Sequence, residues 1–269
     1  MRRTTMAIGA AIAAVAISTS GAAVAEAAPA AKKIATVASH HCENLGLTIT
    51  LTPAQKARAQ AVLPSGFRLT DSPTLLVETA QCAGAKVNGR NIGRFKLSEA
   101  ALSIVPPRKA QSRQLPNIVT ENIFMLSQLD TSRVLSELKA GAGYPTELTD
   151  ISLDRGKSSA VPRVMRASAS GNLAPTSVRA ETTPFLLPPG VDVPNPGVVY
   201  QLWAKNSDGK YVVTTNSNLR IGTPAAGTGV LTVEKGTLLH QVLGSRTASG
   251  VAFSGSASGF VNDTYVFTR

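Results

Sequence analysis

The sequence predicts a β-rich α+β domain built on an antiparallel β-barrel with two or three helices. Short apolar runs broken by Gly, Pro, Asn and Ser recur along most of the chain, and few segments carry helix signals. Strands and helices do not alternate as they must in a parallel sheet, and no repeat of fixed period is visible.

Residues 1–27 read as an export signal. Arg2 and Arg3 form the charged start, Ala7 to Ile17 the apolar segment, and the small residues around Ala25 and Ala27 the cleavage site. The apolar part is shorter than the roughly 20 residues needed to cross a bilayer, and no Cys follows closely enough for a lipid box, so secretion without a transmembrane anchor is expected. Residues 28–50, which are Ala- and Lys-rich at the start, read as a flexible leader, and residues 51–269 as a single domain.

Cys42 and Cys82 are the two cysteines of the sequence, and in an exported chain they favour one disulfide, with two free thiols as the alternative. The bridge would close a loop of roughly 40 residues and stabilise the fold by about 4 kcal/mol on the chain-entropy argument. Beside it, His40-His41-Cys42-Glu43 has the composition of a metal cluster. Neighbouring side chains in an extended segment point to opposite faces, however, and no later His or Cys group supplies a second half, so no metal is expected.

Within the domain, Thr52-Pro53-Ala54-Gln55 opens a helix running to about Val62: Thr52 and Gln55 can form a reciprocal cap, and Pro53 has no amide to leave unpaired. Strands follow at Leu75 to Cys82 and Ser98 to Val105, with Asn88-Gly89 as a tight hairpin turn. Gln111 to Pro116 reads as a polar loop, and Asn122 to Leu126 is an apolar run suited to a buried strand. A second helix spans Ser132 to Ala140, capped by Asp130-Thr131, with Val134, Leu135 and Leu138 inward and Gly141 and Gly143 ending it.

Strands are then predicted at Leu148 to Leu153, Val161 to Ala167 and Ser177 to Thr182, followed by a proline-rich loop from Pro184 to Pro196. Val198 to Ala204 and Tyr211 to Thr215 flank an Asn206-to-Lys210 hairpin. Gly229 to Val233 is a strand, Thr237 to Leu243 a short helix, and short strands at Val251 to Phe253 and Thr264 to Phe267 end the chain.

The stretch Gly143-Tyr144-Pro145-Thr146-Glu147-Leu148-Thr149-Asp150-Ile151 resembles the active-site segment of the acetoacetate decarboxylase family, in which Gly, an aromatic and Pro precede two lysines and a Leu/Ile-rich strand. Phe95-Lys96-Leu97-Ser98-Glu99 is similar to the strand that carries an acidic active-site residue there, a role that would pass to Glu99. The resemblance implies that family's barrel from about Leu63 onward, and a homo-oligomer.

It does not imply that family's reaction. The first lysine forms an imine with a keto acid and the second lowers its pKa. Thr146 and Glu147 stand at those positions; a threonine forms no imine, and a carboxylate raises a neighbouring amine's pKa. Lys96 or Lys205 could take the imine role instead.

The remaining chemistry is sparse. His40, His41 and His240 are the three histidines, with His240 on a short helix where a surface or packing role is expected. A nucleophile elbow, a phosphate-binding glycine loop and a dinucleotide fingerprint are not found in their required settings, and no cofactor is expected. Asn262-Asp263-Thr264 matches a glycan acceptor. The formal charge of +11 is spread along the chain without interleaved aromatics, which argues against nucleic acid and leaves solubility or attraction to anionic envelope polymers.

The candidate pocket comprises Glu99, Tyr144, Thr146 and Glu147, with Trp203 as an apolar wall or an ordinary core residue. Three functions follow as expectations. The chain binds a small apolar or carbonyl-containing molecule, it is an enzyme using Glu99 and Glu147 as acid and base on a keto or hydroxy acid, or it is a basic structural protein of the envelope.

Overall fold

The computed structural model describes residues 31–107, 121–157, 159–184, 200–217 and 224–267. The expected signal, the Gln111-to-Pro116 loop and most of the proline-rich stretch lie outside them. In chain order the elements are β1 (Ala31–Thr50), α1 (Pro53–Val62), β2 (Arg68–Leu69), β3 (Thr74–Val87), β4 (Arg90–Val105), β5 (Glu121–Asp130), α2 (Arg133–Ala142), β6 (Thr146–Leu148) and β7 (Ile151–Asp154). Then come β8 (Arg163–Ala169), β9 (Thr176–Pro184), β10 (Tyr200–Lys205), β11 (Tyr211–Ser217), β12 (Ala225–Val233), α3 (Leu238–Leu243) and β13 (Thr247–Phe267).

Strand pairing closes a ring of seven: β1, β3, β4, β5, β10, β11, β13 and back to β1. Every seam of the ring is antiparallel except β5 with β10, which is parallel. The long β13 serves two sheets. Val261 to Phe267 pair with β11, whereas Thr247 to Ser254 pair with β12, from which β9, β8 and β7 extend as a second sheet.

Two expectations are corrected here. Residues 31–50, expected as part of a loose leader, are the strand that closes the ring, lying between β13 and β3. The two short terminal strands are one strand of 21 residues. Its Ser254-to-Gly259 centre, which has the sequence of a turn-rich strand, pairs with β1 between Leu45 and His40. Close approach favours the small residues: a Cβ on Gly46, opposite Phe253, would fall 2.0 Å from that ring.

The main core lies between the outer face of the ring and the second sheet. Leu45, Leu47, Leu75, Val77, Leu102, Leu126, Trp203, Val213 and Phe267 meet Met165, Val178 and Leu231, with Leu239, Val242 and Leu243 of α3 at one end. Each large aliphatic side chain buried there contributes about 1.5–3 kcal/mol. Helix α1 has the predicted Thr52/Gln55 reciprocal cap. It also serves α3: Arg58 donates to the carbonyls of Val242 and Leu243, satisfying groups that a helix end leaves unpaired.

Helix α2 crosses from β5 to the parallel β6 and lies against the inner face of the ring. Leu135 packs with Phe95 and the Cys42–Cys82 disulfide, which joins directly opposed residues of β1 and β3. At the other end Ala142 packs with Met125, Ala204 and Val212. Ser132 rather than Asp130 is the N-cap, and Val134, expected inward, is 39% exposed. Gly143 ends the helix at φ 103°, donating to Lys139 and Ala140 carbonyls as a left-handed cap does.

Candidate functional site

Alternation along the strands gives the ring two chemically different faces. On β3, Leu75 and Val77 are buried in the main core, while Leu76 and Glu78 face inward and are half-buried. Cross-strand partners share a face, so Gly46, Glu78, Glu99 and Gln128 form one inward row over β1, β3, β4 and β5. Asp130 follows Gln128 two residues on and is fully buried. On β11 and β13 the inward positions are Thr214 and Thr264, then Asn216 and Asn262.

Into this lumen α2 places Lys139, 5% exposed. Its amine donates to Thr214 Oγ1 at 3.2 Å and lies 4.7 Å from the centre of the Tyr144 ring. Tyr144 donates to the Leu202 carbonyl at 2.8 Å and lies 2.9 Å from Thr214 Oγ1, which itself is 2.9 Å from Thr264 Oγ1. Gln128 Nε2 donates to both carboxylate oxygens of Asp130, and Thr146 Oγ1 bridges Ser136 and Asp130 at 3.3 and 3.5 Å. Asn44 donates to Glu78 at 2.8 Å. A polar row of this kind costs stability unless its members pair with one another or with a ligand.

Burial shifts every ionisable group in the lumen toward its neutral form. It pushes the Glu99 carboxyl up to about 8, with Lys139 opposing and Glu78 and Asp130 adding to the rise. Asp130 is pushed up to about 6 by burial, against the Gln128 hydrogen bond, the Lys139 charge and the Thr146 hydrogen bond. Glu78 is raised by burial and held back by Asn44. Burial lowers the Lys139 amine, against the attraction of Glu99 and Asp130. Glu121 and Tyr200, at the paired starts of β5 and β10, are also raised by burial.

The residues expected in the pocket are partly gathered here. Glu99, Tyr144 and Thr146 belong to the lumen. Glu147 does not: its carboxylate accepts from the backbone amides of Asn172 and Leu173, closing the turn between β8 and β9. Adjacent strand residues point oppositely, so Thr146 facing in requires Glu147 facing away. Trp203 is likewise on the outer face, stacked on Phe267 with ring centroids 6.3 Å apart and donating to Asn122.

Lys139, Glu78 and Asp130 did not emerge as site residues from the sequence. The signal for the lysine was present, since Leu135, Lys139 and Ala142 recur at helical spacing and so share the packed face of α2. Of the alternative lysines, Lys96 donates to the Ile151 carbonyl and Lys205 lies 6.0 Å from the Tyr211 ring centre. His40 and His41 meet through their Nδ1 atoms at 3.2 Å, while the adjacent Cys42 is committed to its disulfide. Among the described residues, no helix is long and apolar enough to cross a membrane.

The sequence matches no protein family profile, and no curated protein matches it. Solved structures do. An acetoacetate decarboxylase-like enzyme from Sphingomonas wittichii RW1 aligns with a TM-score of 0.58 at 14% identity, over 87% of this chain and 92% of that one. Acetoacetate decarboxylase from Legionella pneumophila aligns with a TM-score of 0.57 at 12% identity, over 94% and 92%. The enduracididine biosynthesis enzyme MppR, complexed with pyruvate, aligns with a TM-score of 0.55 at 13% identity, over 89% and 90%. At these identities the agreement concerns the fold, and it extends over 87–94% of this chain: this protein has the acetoacetate decarboxylase-like fold.

Proposed function

We propose that the chain is an exported binding domain whose ring lumen takes a small, largely apolar or carbonyl-containing molecule, and that it does not decarboxylate through a lysine following Pro145. The observation that carries the reading is the inward face itself. Glu78, Glu99, Tyr200, Asn216 and Asn262 are gathered there from separate strands and remain half-buried, beside the apolar Leu76, Met125, Leu202 and Val212. Packing alone would favour apolar residues at such positions. A small polar ligand with an apolar body satisfies both kinds of lining. Pyruvate in a structural neighbour has the size and chemistry in question.

The segment after Pro145 supports the second half of the reading, because Thr146 is hydrogen-bonded to Ser136 and Asp130 and Glu147 closes a turn elsewhere. An acid/base pair of Glu99 with Glu147 loses its support for the same reason.

Native mass spectrometry of the protein from its own producer's culture medium, followed by release and identification of any retained molecule, tests the proposal. Retention of a small molecule that is lost in Glu99→Gln, with the fold unchanged by circular dichroism, is expected. Protein that arrives empty and gives no thermal shift with pyruvate, butanone or benzaldehyde would overturn it.

A further inference from the structure

We propose that the open end of the main core, where β1 and β13 part from β8, β9 and β12, is a second binding site, for a small monocarboxylate with a short apolar body. It lies on the outer face of the ring, away from the lumen, and stands independently of the binding reading above. Arg155 and Arg163 hold the carboxylate, and Met165 is the floor beneath its apolar body.

Strand alternation places charge where the core would otherwise continue. On β1, Leu45 and Leu47 face the main core, so Glu43, two residues before Leu45, faces the same way. On β8 the core residues are Met165 and Ala167, and Arg163 precedes Met165 by two. Cross-strand pairing continues this layer from Arg163 to Thr182 on β9, and from Ala225 on β12 to Ser254 on β13. Deeper in the layer Leu47, Ala180 and Ala252 are apolar. Packing alone favours apolar residues at its end as well, yet an arginine and a glutamate stand there.

Between the sheets at this end remains a cavity of about 180 Å³, kept open by the small residues Ala225, Ser254 and Gly255 along its wall. That is the liquid volume of about six waters, so it suits a molecule of few heavy atoms. The lining charges choose the sign of the occupant. Arg155, just after β7, and Arg163 face one carboxylate, Glu43, so two guanidiniums against one acid leave a positive excess. Glu43 is ion-paired with Arg155 Nη1, which tethers that side chain over the cavity. A guanidinium matches a carboxylate with two parallel hydrogen bonds. At the floor, the buried Thr182 hydroxyl donates to Met165 Sδ at 3.7 Å, so the deep end presents the thioether and methyl groups. An anion with an apolar body meets both ends, whereas a cation would face the positive excess.

Modification of arginines with phenylglyoxal on the whole mature protein, mapped by peptide mass spectrometry, tests this. Butyrate is the probe and butyramide its neutral counterpart of the same size, at matched ionic strength. Arg155, with its side chain 54% exposed, is open to the reagent and is the reporter. Saturating butyrate should slow its modification about tenfold, by mass action, and butyramide should leave the rate unchanged. Arg166 and Arg179, on the exposed face of the second sheet, should react equally with and without butyrate. Arg163→Met should remove the protection of Arg155, and Glu99→Gln, a lumen variant, should retain it. Because the protection map uses the wild-type chain, misfolding of a variant leaves the test intact. No protection of Arg155, equal protection by butyramide, or protection shared by Arg166 and Arg179 would overturn the site while leaving the lumen reading standing. Protection that vanishes in a folded Glu99→Gln would overturn it too, by moving butyrate to the lumen.

Discussion

Glu99 shows how a single residue can couple the stability of this protein to pH. Its carboxyl faces Glu78 from β3, Asp130 from β5 and Lys139 from α2, and burial raises its pKa from 4.5 to about 8. Between those values the folded chain holds a proton that the unfolded chain has released, so stability is fully present below about pH 4.5 and is lost as pH rises through about 8. Asp130 acts in the same direction between 3.8 and about 6, whereas Lys139, being lowered, acts in the opposite direction in its range below 10.5. Denaturant melts of Glu99→Gln across pH 5 to 8 should therefore show a flatter decline than wild type; an unchanged slope would mean that Glu99 ionises freely in the fold. Glu99 itself was legible in the sequence through the motif around it. Lys139 was not, because composition gives a lone charge in an amphipathic helix no direction until the faces of that helix are known, and the apolar Val134 reads as inward although it is Lys139 that is buried.

At the scale of elements, helix α2 depends on Gly143 and on the disulfide beneath its first turn. Gly143 has φ 103°, and a Cβ there would lie 2.3 Å from the Cβ of Asn206, in the β10–β11 hairpin. Gly143→Ala should accordingly destabilise by ~2 kcal/mol from the left-handed backbone alone, with the steric overlap in addition. A thermal melt reads this directly. Cys42→Ser should lower stability by up to about 4 kcal/mol, and reductant should produce most of that loss in wild type but none in the variant. Helices were the elements most readable from sequence, since caps are local: Thr52, Gly143 and Thr237 each lie at the helix end they terminate. Strands β1 and β13 were hard to read for the opposite reason. Their pairing joins Ala31 to Phe267 and Thr48 to Val251, so the interactions that make residues 31–50 a strand come from the far end of the chain.

For the molecule as a whole, the ring makes the first described strand indispensable. Deleting residues 28–50 removes the strand between β13 and β3 and with it Leu45, Leu47 and Ile49 of the main core. Such a truncation should show no cooperative melt, whereas a true leader could be removed at little cost. On β3 of the same ring, Leu75 and Val77 face the outer core while Leu76 and Glu78 face the inside. A closure displaced by one residue would turn Glu78 into the apolar core and Val77 into the lumen, a double penalty that no neighbouring contact relieves. Wrong closures are therefore rejected by charge. The carboxyls that line the interior thus also tell the chain which way to fold shut, so a substitution that alters the lining of the lumen also alters the fidelity of closure.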